Sequence, residues 1–134
     1  MARASFTIGT LAKATATKAE TIRYYERVDL LPKPARSSAN YRSYTDDDRK
    51  RLAFIRKSRS LGFTIEQVRA LLRLADHREQ SCDEVDRIAR DHVQEIEKKI
   101  TDLNALGDEL RGLIRQCRGG TISQCRILEA LTPD

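Results

Sequence analysis

At 134 residues, with 34% charged and only 5% aromatic side chains, the chain has room for one small helical domain and an extension, and excludes a large sandwich. Its formal charge of +5 hides a division: residues 1–75 carry 16 basic and 7 acidic side chains, residues 76–134 carry 9 and 13. The first part alone is therefore suited to a polyanion, nucleic acid ahead of an anionic membrane surface.

Thr7 to Ala14 reads as a short helix with Ile8, Leu11 and Ala12 inward, broken at Thr15-Ala16-Thr17. Thr17 and Glu20 fit a capping box for a second helix, Lys18 to Arg27, with Ile22 and Tyr25 inward. Its other face carries Lys18, Thr21, Arg23 and Tyr24. Two short helices joined by a tight turn form a helix-turn-helix pattern, whose second helix would enter a major groove. Leu30-Leu31-Pro32-Lys33-Pro34 ends that helix, because each proline pushes its predecessor out of the α region. Arg36 to Tyr44 follows as two extended pieces about a turn, a hairpin wing with Tyr41 to Tyr44 as its second arm. Thr45 and Asp48 form a capping box for a helix to about Ser60. On it Leu52, Phe54 and Ile55 face inward, while Arg49, Lys50, Arg51, Arg56, Lys57 and Arg59 are solvated or meet phosphates. Gly62 stops it, and Thr64 with Gln67 opens a fourth helix, Ile65 to Leu74, with Val68, Leu71 and Leu72 inward.

A polar hinge, 76–82, leads into a proline-free helix over 83–116. Ala89, Ile96, Leu103 and Leu110 recur every seventh residue, interleaved with His92, Lys99, Leu106 and Leu113: a coiled-coil seam with two polar interruptions. Such a helix is roughly 50 Å long, too long for the small domain to cover, so the expected partner is a second copy of the chain. A glycine-containing loop and a last short helix, about Gln124 to Leu131, close the chain, with Ile127, Leu128 and Leu131 presented. No signal core opens the chain and no run approaches a membrane span, so a cytoplasmic protein without a membrane partner is expected.

Thr21-Ile22-Arg23-Tyr24-Tyr25-Glu26, Leu30-Leu31-Pro32, Asn40-Tyr41-Arg42-Ser43-Tyr44 and Leu61-Gly62-Phe63-Thr64-Ile65 stand in an order that resembles the MerR family of bacterial transcription regulators, and the resemblance covers nearly the whole chain. It implies a mainly α fold and a regulator, not an enzyme. The expected parts are a winged helix-turn-helix DNA-binding domain (1–75), a hinge (76–82), a long antiparallel coiled-coil dimerisation helix (83–116) and a short metal-binding loop and helix (117–134). Lys18, Thr21, Arg23 and Tyr24 would face the major groove of promoter DNA or its backbone, and Arg36, Tyr41 and Arg42 would contact it from the wing. Tyr25 and Tyr44 are read as core. The resemblance further implies a homodimer that binds the promoter with and without metal, and that distorts the DNA when metal binds so that RNA polymerase can initiate. The chain departs from the family at Ala16, Asp29 and Ala39, where glycine is usual. Alanine in particular resists positive φ, so altered turns are expected there.

Three cysteines in a reducing compartment are core fillers, redox groups or metal ligands. Cys117 and Cys125 are separated by a loop containing Gly119 and Gly120, which lets both sulfurs face one centre. Antiparallel pairing of the long helices would bring Cys82 of one subunit to that pair in the other. Three thiolates suit a soft cation. In the metal-sensing branch that the chain resembles, a cysteine at the head of the dimer helix accompanies divalent ions, whereas copper(I), silver or gold sensors use two cysteines. The expected effector is therefore a divalent soft ion: lead, cadmium, mercury or zinc. His77 is a further possible ligand, His92 is read as a polar interruption of the seam, and Arg118 stands where zinc sensors tend to offer a second cysteine. Copper(I) held by Cys117 and Cys125 alone, or a reversible disulfide of that pair, are the alternatives.

Overall fold

A computed structural model describes residues 5–117 and 119–133; Arg118 lies outside the described residues. The chain divides into two compact units, Met1–Ser81 and Cys82–Asp134. The first contains β1 (Ser5–Phe6), α1 (Ile8–Thr15), α2 (Ala19–Arg27), β2 (Ala35–Arg36), β3 (Arg42–Thr45), α3 (Asp46–Ser60) and α4 (Ile65–Ala75). The second contains α5 (Asp83–Gln116), a 3-10 turn (Ile122–Gln124) and α6 (Arg126–Leu131).

Capping chemistry fixes where the helices of the first unit begin. Thr45 with Asp48, and Thr64 with Gln67, form the expected reciprocal capping boxes, and Thr7 with Thr10 makes a third at α1. The box expected at Thr17 and Glu20 is not formed. Thr17 donates its hydroxyl to the Thr15 carbonyl at 3.0 Å, and α2 starts behind Lys18, which makes no side-chain cap. Three helices end in the same left-handed stop. After α3, Gly62 (φ 89°) lets its own N–H reach Arg59 O and the Phe63 N–H reach Ser58 O. Ala16 (φ 50°) and Asp29 (φ 62°) do the same after α1 and α2, with Thr17 N–H on Ala12 O and Leu30 N–H on Tyr25 O. The turns at Ala16 and Asp29 thus keep a left-handed form, contrary to the expected alteration. At the wing tip Asn40 (φ 65°), and not Ala39, takes the positive φ.

β3 is the centre of a three-stranded antiparallel sheet, ordered β1-β3-β2, with Phe6 opposite Tyr44 and Arg36 opposite Arg42. Leu11, Ile22, Leu30, Leu52, Ile55 and Val68 are fully buried in one cluster with Tyr25, Leu31, Tyr44 and Leu72. Burying these side chains is what holds four helices and a minimal sheet together. Two expectations on α3 need correction. Phe54 is exposed (37%), because the buried row of this helix runs Leu52, Ile55, Ser58 and leaves residue 54 on the outer side. Arg51 is half-buried and structural: its Nε donates to Leu30 O at 2.7 Å and its Nη1 lies 3.8 Å from Asp76 Oδ2.

In the second unit α5 runs for 34 residues, and α6 folds back against it. Its apolar side chains are exposed within one protomer: Val93, Ile96, Ile100, Leu103, Leu110 and Ile114 are each 40–65% accessible. The expected row at Ile96, Leu103 and Leu110 is exposed; beside it Val93, Ile100 and Ile114, four residues on, are exposed as well, and so is Leu106 of the expected companion row. His92 is the one buried residue of α5, so it lies off the exposed stripe. Among the described residues no helix is long and apolar enough to cross a membrane.

Candidate nucleic-acid interface and metal centre

The basic surface gathers around α2 and the wing. Ile22, Tyr25 and Glu26 of α2 are buried, which turns Lys18, Arg23 and Tyr24 outward and leaves Thr21 half-buried. Tyr24 stacks at 5.8 Å against Tyr25 and receives Arg27 over its ring at 5.9 Å, so the exposed phenol is held in place and a cation lies over its face. A cleft between α2 and the wing is lined by Arg23, Arg27, Lys33, Arg36 and Arg42, with Glu26 and Pro34. A second, on the far side of the α1–α2 turn, is lined by Ala16, Arg56, Lys57 and Ser60 among others. Tyr41 at the wing is 71% exposed, with its own N–H anchored to Ser37 Oγ at 3.2 Å. Of the seven candidates, Arg23, Arg36 and Arg42 line the first cleft, and Tyr41 lines a smaller one beside it with the same three; Lys18, Thr21 and Tyr24 line neither. Cations there can meet phosphates, and the tyrosine and threonine hydroxyls can hydrogen-bond to them.

Arg42 lines the cleft with its charge held internally. Its Nη1 donates to Glu26 Oε2 at 2.7 Å, and the Tyr44 hydroxyl donates to Glu26 Oε1 at 3.0 Å. Glu26 is only 5% exposed, and burial pushes the Tyr44 phenol above its ordinary pKa. Sequence reasoning missed Arg27, Lys33 and Glu26 as members of this site. The first two were legible as charges flanking the helix and the proline turn, whereas Glu26 becomes visible only when the wing is folded onto α2.

The cysteines divide into a pair and an outlier. Cys117 and Cys125 are half-buried, with Cys117 Sγ donating to Cys125 Sγ at 3.8 Å; Cys82 is exposed. Gly119 (φ 86°) and Gly120 (φ 101°) permit the reversal between the pair, and a Cβ on Gly120 would stand 2.7 Å from Gln124 Oε1. The Cys125 thiol is lowered from its ordinary pKa, first by the Leu128 backbone N–H, then by Cys117 and the Ile127 N–H. Cys82 and Cys117 cap opposite ends of α5 and are thus about 52 Å apart within one protomer. They are nevertheless in one heptad register, because a separation of 35 positions is five heptads: Cys82, Ala89, Ile96, Leu103, Leu110, Cys117. Among the described residues no three His, Cys, Asp or Glu side chains converge within the single chain. His77 is exposed, with its Nδ1 2.7 Å from the Arg73 carbonyl.

The sulfur pair fits a metal ion on geometric grounds. Two thiolates bound tetrahedrally at about 2.3 Å stand about 3.8 Å apart, whereas a linear arrangement at the same bond length needs about 4.6 Å. The observed separation matches the former.

Comparison with known proteins agrees over most of the chain. Residues 6–75 match the MerR HTH family regulatory protein model, and residues 49–113 match the MerR, DNA binding model. The helix-turn-helix-type transcriptional regulator PA4778 of Pseudomonas aeruginosa is 40% identical, covering 92% of this chain and 94% of its own. The transcriptional regulator ZntR of Escherichia coli K12 is 38% identical, covering 94% and 92%. The crystal structure of the transcription regulator PbrR691 from Ralstonia metallidurans CH34 in complex with lead(II) superposes with a TM-score of 0.83 at 38% identity, over 95% of this chain and 99% of that one. The chain belongs to the MerR family of helix-turn-helix transcriptional regulators, DNA-binding proteins and not enzymes.

Proposed function

We propose that the protein is a homodimeric, metal-responsive transcription activator whose effector is a divalent soft ion, lead, cadmium, mercury or zinc. The ion is held by Cys82 of one protomer with Cys117 and Cys125 of the other. The apolar stripe of α5 is the dimer surface, and antiparallel pairing carries the head of each helix to the tail of its partner. Lys18, Thr21, Arg23, Tyr24, Arg36 and Tyr41 contact promoter DNA, and Arg42 belongs to the same surface. Metal binding orders residues 117–125, shifts the packing at the helix ends and favours the dimer arrangement that distorts the promoter for RNA polymerase. The regulated genes are those of metal resistance or efflux, and the protein acts in the cytoplasm.

The observation that carries this reading is the Cys117–Cys125 pair at 3.8 Å, placed at the end of a heptad register that begins with Cys82. The lead(II)-bound PbrR691 structure, alike over nearly the full chain, supports a soft divalent ion. The same pair also favours a second reading, because two adjacent thiols suffice for copper(I) or for a reversible disulfide without Cys82. Anaerobic titration of the reduced dimer with lead, cadmium, mercury, zinc and copper(I), followed by thiolate-to-metal absorption, separates the two. Divalent binding that collapses in Cys82→Ser is the expected result. Copper(I) binding indifferent to Cys82 transfers the protein to the second reading.

A further inference from the structure

We propose that Glu26 is a positioning residue for DNA binding: buried between α2 and the wing, its carboxylate grips Arg42 and Tyr44 and thereby sets where the wing meets the duplex. This deepens the reading of the first unit as the DNA-binding one and rests on it.

A carboxylate in the floor of a basic cleft is the opposite of what attraction for a polyanion alone would place there. It repels phosphates, and burying it is costly without partners. Both of its oxygens are taken by β3: Oε2 by Arg42 Nη1 at 2.7 Å and Oε1 by the Tyr44 hydroxyl at 3.0 Å. The backbone pairings of β3 are short on both edges, Ala35 with Ser43 and Arg36 with Arg42 on one, Ser5 with Thr45 and Phe6 with Tyr44 on the other, and neither strand paired with it belongs to α2. The side-chain grip therefore carries the wing's orientation relative to α2. Because Arg36 lies opposite Arg42 and Tyr41 precedes it, fixing Arg42 fixes both exposed wing candidates as well. Arg42 itself spends its charge on Glu26, with a third of its side chain exposed, so it acts through the carboxylate and not as a phosphate ligand.

The test uses the reduced full-length dimer and a duplex selected from a random library by the wild-type protein. Affinity is measured against salt concentration for wild type, Glu26→Gln, Arg42→Ala and the double variant. Each single variant should weaken binding by about 10-fold or more, while the slope of log K against log salt stays at the wild-type value, and the double variant should be no weaker than the worse single one. If Arg42→Ala lowers the slope by about 0.9, as loss of one phosphate contact would, or the two effects multiply, the proposal is overturned. It is equally overturned if Glu26→Gln tightens binding, which would mark Glu26 as a mere repulsive charge. Tyr44→Phe removes one of the two grips with the least change to the fold; weakened binding at an unchanged slope is expected of it too, whatever the melting point of Glu26→Gln. Failure of the wild-type dimer to bind duplex in a salt-dependent manner overturns instead the assignment of the first unit to DNA.

Discussion

A three-thiolate site makes a prediction about protons. A thiol must lose its proton before its sulfur binds an ion, so binding at low pH releases one proton for every protonated ligand. Ordinary cysteines titrate near roughly 8.5, and the Cys125 thiol is lowered from its ordinary value by the Leu128 N–H first, then by Cys117 and the Ile127 N–H. Well below all three pKa values the ion displaces three protons, and its apparent affinity should rise about three decades per pH unit. In Cys82→Ser the rise should be about two decades per unit. The sign follows from competition: affinity is lost as the pH falls, because protons occupy the sulfurs. As the pH climbs, the lowered Cys125 thiol ionises earlier than an ordinary cysteine would, so the wild-type slope should step down from three to two earlier than ordinary thiols would allow. Anaerobic competition between the dimer and a chelator of known protonation, read by the thiolate-to-cadmium or thiolate-to-lead absorption, measures the slope. A slope of two in both wild type and Cys82→Ser refutes the reasoning, since Cys82 would then contribute no proton and no ligand.

Three further outcomes test the fold. Ala16→Gly should stabilise the first unit by roughly 0.5–1 kcal/mol, as relief of the left-handed strain exceeds the added freedom of the unfolded chain; a lower denaturant midpoint would show that the Ala16 methyl packs against something that matters more. Ile55→Ala should cost about 2–5 kcal/mol in the same assay, whereas Phe54→Ala, one residue away and facing out, should cost under about 1 kcal/mol. Ile100→Asp should shift the sedimentation of the protein from dimer to monomer, while Lys99→Asp should leave it dimeric; the reverse pattern would restore the seam through Lys99.

Elements whose limits are set by local chemistry were legible in the sequence. The boxes at Thr45 and Thr64 and the stop at Gly62 each depend on residues within one turn, and α3 begins and ends, and α4 begins, where those residues say. The failure at Thr17 has the same scale: a left-handed Ala16 just before it redirects the hydroxyl to the Thr15 carbonyl, and nothing in a capping pattern encodes that. Long periodic segments were legible in existence but not in phase. Both candidate companions of the Ala89 row repeat every seven residues, and periodicity cannot choose between offsets of three and four when each contains a non-apolar member. Exposure separates the two at their first position, where Val93 is uncovered and His92 is buried, while Ile100, Leu106 and Ile114 are uncovered alike. At the basic surface, cations and tyrosines could be named from residue type. Which of them spends its charge internally could not, because Arg51 finds Leu30 and Asp76, and Arg42 finds Glu26, across folded distances of 16 residues or more.

The arrangement of the cysteines bears on how a metal signal could leave its site. Cys117 and Cys125 are brought together by a glycine turn and by α6 within one protomer, so neither sulfur waits for a partner chain. Cys82 stands at the far end of α5, about 52 Å away, and cannot join them in the same protomer. An ion that takes all three thiolates therefore binds paired chains more tightly than separate ones, and by reciprocity it tightens the pairing by the same factor. An ion satisfied by Cys117 and Cys125 alone makes no bond to the partner and exerts no such pull. In the proposed three-thiolate site the choice of metal and the transmission of the signal thus meet in one residue: Cys82 would set how many thiolates an ion finds, and it would tie the ion to the second chain.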